Sequence, residues 1–485
     1  MDPGGERLMQ SRRDQVQAYF FVVGRLVSGL MQGKPDVLEH PNKRFNSGTF
    51  VGVLIAGLIV ACVGIFGLLF PGGNNTWRVP GTVVMEKDSG ARYIYLDGQL
   101  RPVLNLSSAV LAAGTEGKLV AVDKNSLSGV PVGTPIGIPG APDGLPAADR
   151  LNTSAWTVCA KPADRHAVAG KPTVTLRLDQ VHGSAVPQEK ALLVSTKDGG
   201  VFLVWRGNRH KIADSLILEA LGYNSAAPLP VSPAWLNVIP AGRDVQPPAI
   251  ADVGKQGLPV AAKPGLVGQV YQLRNPATGS NELFVLKADG LLPISRTVAA
   301  MLLVSPATKN AYPDASVRPL DVGPGDVSGV PLLPGDPISA DLPRTPPELI
   351  DPGASGEPCL RFDPGVGAER APTLLTLPLS TEDAAVPPAG KHAEGTTADQ
   401  VVIPMGSGAL VRTVPAPGAP PGTEFLVTDL GVKYPLVSEE IAGVLGYGHV
   451  NGAGVPPALL ALLPTGPALD PKDALASRPI STPGS

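Results

Sequence analysis

Aromatic side chains are scarce in this chain, 5% of 485 residues, which speaks against an aromatic-lined cleft for sugars or bases. Charge is scarce too: 17% of residues carry it and the formal balance is −3, so no nucleic-acid-binding surface is indicated. Three cysteines are too few for a disulfide-built scaffold. The six histidines (His40, His166, His182, His210, His392 and His449) show no H-E-x-x-H or other ligand spacing. A phosphate-cradling G-x-x-x-x-G-K-[ST] loop is absent; the nearest stretch, Gly114 to Leu119, is too short and ends in leucine. Met405-Gly406-Ser407-Gly408 lacks the second arm of a nucleophile elbow. Gly137-Ile138-Pro139-Gly140 lies in a proline-rich loop instead of a strand-to-helix turn. No catalytic, metal or cofactor-binding residue is therefore nominated, and no cofactor is expected.

What is abundant points elsewhere. Residues 49–70, TFVGVLIAGLIVACVGIFGLLF, run without a charge. As a helix they span about 33 Å, enough to cross a bilayer core, where each unpaired peptide group would cost several kcal/mol. A buried core helix is the competing reading, but the run is too long and uniform for one. Lys34, Lys43 and Arg44 precede it, with Arg12, Arg13 and Arg25 further back, whereas Arg78 and Lys87 are the first basic residues after it. That bias places the N-terminus in the cytosol and the following part outside the cytoplasmic membrane. No A-x-A cleavage site follows the span, so it reads as a single-pass anchor and not as a signal peptide. Gly48, Gly52 and Ala56, and likewise Gly57 and Ala61, make small-xxx-small stripes that let another membrane helix approach closely.

Before the span, Ser11-x-x-Asp14 fits a capping box, and Val16, Phe20, Val23, Val27 and Leu30 follow helical spacing. This cytosolic helix either lies on the membrane or docks on a cytosolic partner.

The stretch SRRDQVQAYFFVVGRLVSGL (11–30), then HPNKRF (40–45), one uncharged span and LLFPGG (68–73) resembles the N-terminus of EccB proteins, membrane components of the actinobacterial type VII secretion system. The resemblance extends into the repeats below. It implies a structural subunit of a secretion machine with a central region flanked by four repeats. The implied partners are the EccC ATPase, EccD, EccE, the mycosin protease and other copies of itself. Some EccB proteins carry an ATPase label. This sequence offers no nucleotide site, and an outside domain would meet no ATP.

Glycine (57) and proline (54) make up almost a quarter of the chain, which favours short strands and tight turns. Four segments carry a strand, a turn, a returning strand and a helix: 91–114, 201–223, 281–303 and 423–447. Asp97-Gly98 and Asp289-Gly290 read as type I′ hairpin turns, and Arg206-Gly207-Asn208 and Asp429-Leu430-Gly431 take the same place. The four group into two halves. SGVP recurs at 128–131 and 328–331, Cys159 and Cys359 each precede an apolar strand (172–178 and 372–379), and LGY recurs at 221–223 and 445–447. Residues 81–248 and 266–470 thus look like two copies of one plan.

The fold expected is α+β: a single-pass membrane protein with an elongated, internally duplicated ectodomain of four small strand-turn-strand-helix repeats around a central β region. Its divisions are a cytosolic segment (1–48), the span (49–70), repeat 1 (71–150), the first part of the centre (151–185), repeat 2 (186–248), repeat 3 with its connector (249–350), the second part of the centre (351–398), repeat 4 (399–462) and a Pro- and Ser-rich tail (463–485), read as extended. Cys62 lies in the span, leaving Cys159 and Cys359 as an even pair in an oxidising compartment, at equivalent places in the duplication. A disulfide clamping the halves is expected; two buried thiols and a bridge between protomers are the alternatives. In function, a secretion-machine subunit stands against an envelope hydrolase and a wall-binding or sensor protein of the same topology.

Overall fold

The structure is a computed structural model that describes residues 12–33, 41–69 and 75–478, except 116, 162–170, 314, 336–340, 352–355, 364–370, 379–385, 392 and 417. Ser11 and Phe70 lie outside the described residues, so the serine half of the capping box is not described. A helix spans Arg12–Gln32, with Asp14 in its first turn. A second helix, Pro41–Leu69, contains residues 49–69 of the uncharged run, and its portion Phe45–Ile65 is long and apolar enough to cross a membrane. None of that portion is buried.

Beyond Thr76 the chain forms five small sheets. In the first unit, strands Val83–Glu86, Arg92–Leu96 and Gln99–Pro102 are followed by helix Leu106–Ala113 and strand Leu119–Val122. The second unit has strands Lys190–Ser195, Val201–Trp205 and Asn208–Lys211, helix Ser215–Ala220, and strand Leu229–Pro230. In the third, strands Val270–Asn275, Ser280–Lys287 and Gly290–Ile294 precede helix Arg296–Val304 and strand Leu320–Val322. The fourth repeats the order with Gly408–Thr413, Glu424–Thr428 and Lys433–Pro435, helix Glu439–Val444, and Ala453–Val455. Every unit places its strands third-second-first-fourth. In the last three units the fourth strand runs parallel to the first.

Each unit is therefore larger than the strand-turn-strand-helix segments read from sequence. A lone hairpin buries too little to be stable, and here a preceding strand and a parallel closing strand complete each sheet. Local chemistry sets the helix starts: Asn105 Oδ1 accepts from the Ser108 amide, Asp214 from Ile217 and Ser295 from Val298. The turns differ in one respect from expectation. Asp97-Gly98 and Arg206-Gly207 place both residues at positive φ, but at Asp289-Gly290 only the glycine does. Glycine serves there for close approach: a Cβ would stand 2.3 Å from the Pro331 carbonyl oxygen, to which Leu291 donates its amide at 2.8 Å.

The units share cores in pairs. Leu111, Ile138 and Leu151 of the first pack with Leu410, Leu426, Tyr434 and Leu445 of the fourth. Ala191, Leu193 and Leu203 of the second pack with Val270, Val285, Val298 and Met301 of the third. The opposite faces of the second and fourth sheets, Leu192, Val194 and Val204 and then Ala409, Val411 and Val427, join a core with the central strands. Sheets buried on both faces need apolar residues at consecutive positions, and KALLVS (190–195) and GALVRT (408–413) supply them.

The tail departs from its expected extended state, since its described part, 463–478, is packed. Asp470 caps helix Pro471–Leu475, with proline at the first helical position, and Leu469 and Ala474 are fully buried in the core shared by the first and fourth units. Ser477 bridges to Ile136 and receives a hydrogen bond from Arg101 at 2.5 Å; the Arg478 amide donates to the Pro135 carbonyl. Proline and serine content signals extension only where apolar anchors are missing, and here two are present. Leu469→Ala is expected to destabilise the fold by about 2–5 kcal/mol, as a buried leucine does. Chemical denaturation of the full chain checks this. A change within about 0.5 kcal/mol, as at exposed sites, would mean that the tail is not docked.

Candidate functional site: a pinned central sheet and its seams

The centre is a six-stranded sheet in the order Gln400–Val402, Thr173–Arg177, Trp156–Lys161, Glu357–Phe362, Thr373–Leu377, Ser184–Ala185. Its middle pair comes from strands 200 residues apart, running antiparallel with Cys159 opposite Cys359. The two residues are bonded, Sγ to Sγ 2.07 Å with Cα atoms 4.0 Å apart, and both are buried. Strand alternation explains the placement. Trp156, Val158, Leu360 and Phe362 face the core shared with the second and fourth units, and the cysteines lie on the other face against Leu375. From the second unit, Trp235 Nε1 donates to the Val158 carbonyl at 3.1 Å.

Matching contacts secure the two paired seams. The Tyr223 hydroxyl donates to the Pro347 carbonyl at 2.7 Å, and the Tyr447 hydroxyl to the Pro146 carbonyl at 2.8 Å. Burial pushes both phenols above the ordinary tyrosine range, so they stay donors. Glu348–Leu349 adds a parallel strand to Lys190–Ser195, and Leu151 bridges in parallel to Gly408. Within the second unit, Arg209 Nη1 donates to the Leu236 carbonyl at 3.1 Å, holding the C-terminal end of helix Pro233–Asn237. In the fourth, Lys433 Nζ donates to the Leu460 and Leu463 carbonyls, doing the same for helix Pro457–Ala461.

Of the residues nominated from sequence, only Cys159 and Cys359 are brought together here. Gly48, Gly52, Ala56, Gly57 and Ala61 lie at exposed positions of the Pro41–Leu69 helix, and a Cβ added at Gly48, Gly52 or Gly57 would meet nothing within 4 Å. On the Arg12–Gln32 helix, Val16, Phe20, Val23 and Leu30 are exposed and Val27 is half-buried. Tyr19, Phe21, Val22 and Leu26 are exposed as well, so the apolar surface is wider than the stripe inferred from spacing. Sequence reasoning missed Tyr223, Tyr447, Arg209 and Lys433; the recurring Leu-Gly-Tyr was the available signal for the tyrosines. Among the described residues, no group of three or more His, Cys, Asp or Glu could hold a metal ion.

The family described as type VII secretion system ESX-1, transport TM domain B, which is EccB, matches residues 8–480. The chain belongs to the EccB family. A relative in Mycolicibacterium smegmatis, named ESX-3 secretion system ATPase EccB3, is 32% identical over 96% of this chain and 90% of its own length. The solved EccB3 dimer from the ESX-3 core complex matches with a TM-score of 0.65 and 29% identity, over 81% of this chain and all of that one. A chain of an intact ESX-5 inner membrane complex shares the fold over 99% of both chains, with a TM-score of 0.67 and 24% identity.

Two expectations follow for this EccB chain. Replacing both Cys159 and Cys359 by serine should cost about 2–5 kcal/mol. Loop-closure entropy for the 200-residue separation gives an upper figure of about 5 kcal/mol. Denaturation of the oxidised protein and the variant reads this, and coincident curves would show that the bond does not clamp the fold. The second concerns Lys433, whose ammonium burial pushes down to about 8 from an ordinary 10.5. Below pH 8 folded and unfolded chains both hold the proton, and the folded state carries the full burial penalty. Between these two values the folded chain releases it first, so stability rises with pH through that window. Lys433→Met should flatten the rise, measured as the difference between the two unfolding midpoints across the same window.

Proposed function

We propose that this protein is a structural, membrane-anchored subunit of a type VII secretion complex whose sheet units mediate assembly on the outer side of the cytoplasmic membrane. The observation that carries the reading is the EccB match along residues 8–480, joined to a relative solved as a dimer within a secretion core complex. On this reading the N-terminus is cytosolic, in line with the basic residues before the span. Partners are the EccC ATPase, EccD, EccE, the mycosin protease and further copies of this chain. The four units are copies of one plan in two halves, supported by the shared strand order and by the matched pairs Tyr223 with Tyr447 and Arg209 with Lys433. The Arg12–Gln32 helix lies on the membrane or on a cytosolic partner.

A second reading is an ATPase, favoured by the names that relatives carry. Against it stands the missing G-x-x-x-x-G-K-[ST] loop, and with the N-terminus cytosolic, as proposed, most of the chain would lie where ATP is absent. The structural role is therefore preferred.

Extraction in mild detergent followed by a native gel tests the assignment. A subunit is expected to migrate in an assembly far larger than its own 49.8 kDa; migration as an isolated protein would overturn it. Gly52→Leu should lower the yield of that assembly if Gly48, Gly52 and Ala56 seat another helix. Unchanged yield would remove the helix-packing role while leaving the ectodomain role standing.

A further inference from the structure

The second unit carries an open groove of about 480 Å³. Apolar Phe202, Pro233 and Leu236 line it together with polar residues that include Lys197, Asp198, Arg209 and Asn237. Arg209 is the telling residue. Its Nη1 group donates to the Leu236 carbonyl at 3.1 Å and to Asn237 Oδ1 at 3.0 Å. The guanidinium has five N–H donors, and Nε and Nη2 have no partner among the described residues.

The corresponding place in the fourth unit shows what the fold alone requires. There Lys433 holds the matching helix end through its single ammonium, donating to two carbonyls. A lysine therefore suffices for the cap. The second unit places a planar fork at the same point, with donors to spare on a residue that lines the groove beside Phe202, Pro233 and Leu236, an arrangement suited to bidentate capture of a carboxylate. Net charge agrees. Among the lining residues Lys197 and Arg209 stand against Asp198 alone, and Lys211 is a further cation near that carboxylate.

We propose that this groove binds an acidic peptide segment of a partner protein, with an aspartate or glutamate carboxylate on the Arg209 fork and an adjacent aromatic or aliphatic side chain against Phe202, Pro233 and Leu236. The groove is open to solvent, so a segment of a partner chain can enter it. The inference is independent of the assembly role and survives or fails separately from it.

The test uses the full chain in detergent and the fluorophore-labelled dipeptide acetyl-Phe-Asp-amide, with acetyl-Phe-Asn-amide and benzoate as competitors. The aspartyl peptide should bind saturably, and the isosteric asparaginyl peptide should bind at least about tenfold more weakly. Arg209→Lys should weaken the aspartyl peptide by about tenfold or more while the chain stays folded and still enters the native-gel assembly, since lysine supplies the cap. Equal binding of the two peptides, or full affinity in Arg209→Lys, would overturn the carboxylate fork. Benzoate competing as well as the aspartyl peptide would overturn the peptide assignment, and no saturable binding below about 5 mM would overturn the site.

Discussion

The pairing of Trp156–Lys161 with Glu357–Phe362 is the contact on which the rest of the sheet-bearing part depends. Closing a chain of that length on itself is opposed by entropy, and the cost is recovered only through what the closed strands bury. They bury a great deal. Trp156, Val158, Leu360 and Phe362 form the floor of a core to which the second and fourth units both contribute. The disulfide on the opposite face holds the two strands in one register, with Cys159 against Cys359 and Val158 against Leu360. A slip of one residue would turn the apolar set away from that core.

Size explains why the units lean on each other. A four-stranded sheet with one short helix buries too small a fraction of its surface to hold alone. The second and fourth units solve this by burying both sheet faces, one on the central strands and one on an outer unit. The pairings join the first unit to the fourth and the second to the third. If the first unit corresponds to the third and the second to the fourth, each of these pairings maps onto the other. The Tyr223–Pro347 and Tyr447–Pro146 hydrogen bonds obey the same correspondence. One self-consistent packing solution, used twice, is physically economical because a residue pattern that satisfies one seam already satisfies its counterpart.

How much of this was legible follows from where the information sits. The anchor was readable because lipid imposes a long local constraint on consecutive residues, and helix Pro41–Leu69 holds residues 49–69 of the run. The hairpins and following helices were readable because turn and cap residues act over three or four positions, as Asp97-Gly98 and Asp214 do. The cysteine pair was legible from compartment and repeat position. The parallel closing strands were not: Leu229–Pro230 is two residues long, and nothing local distinguishes it from a loop. The tail was misread because its composition outweighed Leu469 and Ala474, whose burial depends on units hundreds of residues away. For the candidate groove, the sequence offered no signal at Arg209, since its significance appears only beside Lys433.

That comparison separates what packing demands from what it leaves free. His210 and Tyr434 occupy matching strands, and each ring lies against a glycine. A Cβ on Gly242 would stand 2.4 Å from His210, and one on Gly466 would stand 2.4 Å from Tyr434. The glycine and a flat ring are retained in both places, so the shape of the contact is the constraint. The ring's chemistry is not: His210 Nδ1 lies 2.8 Å from the Arg243 carbonyl with Nε2 unpartnered, whereas the tyrosine carries a phenol. Arg209 and Lys433 divide in the same way, alike in holding a helix end and different in the donors left over. Where two solutions to one packing problem differ only in surplus polar groups, packing cannot account for the surplus. Those groups are where a function beyond holding the fold together should be sought.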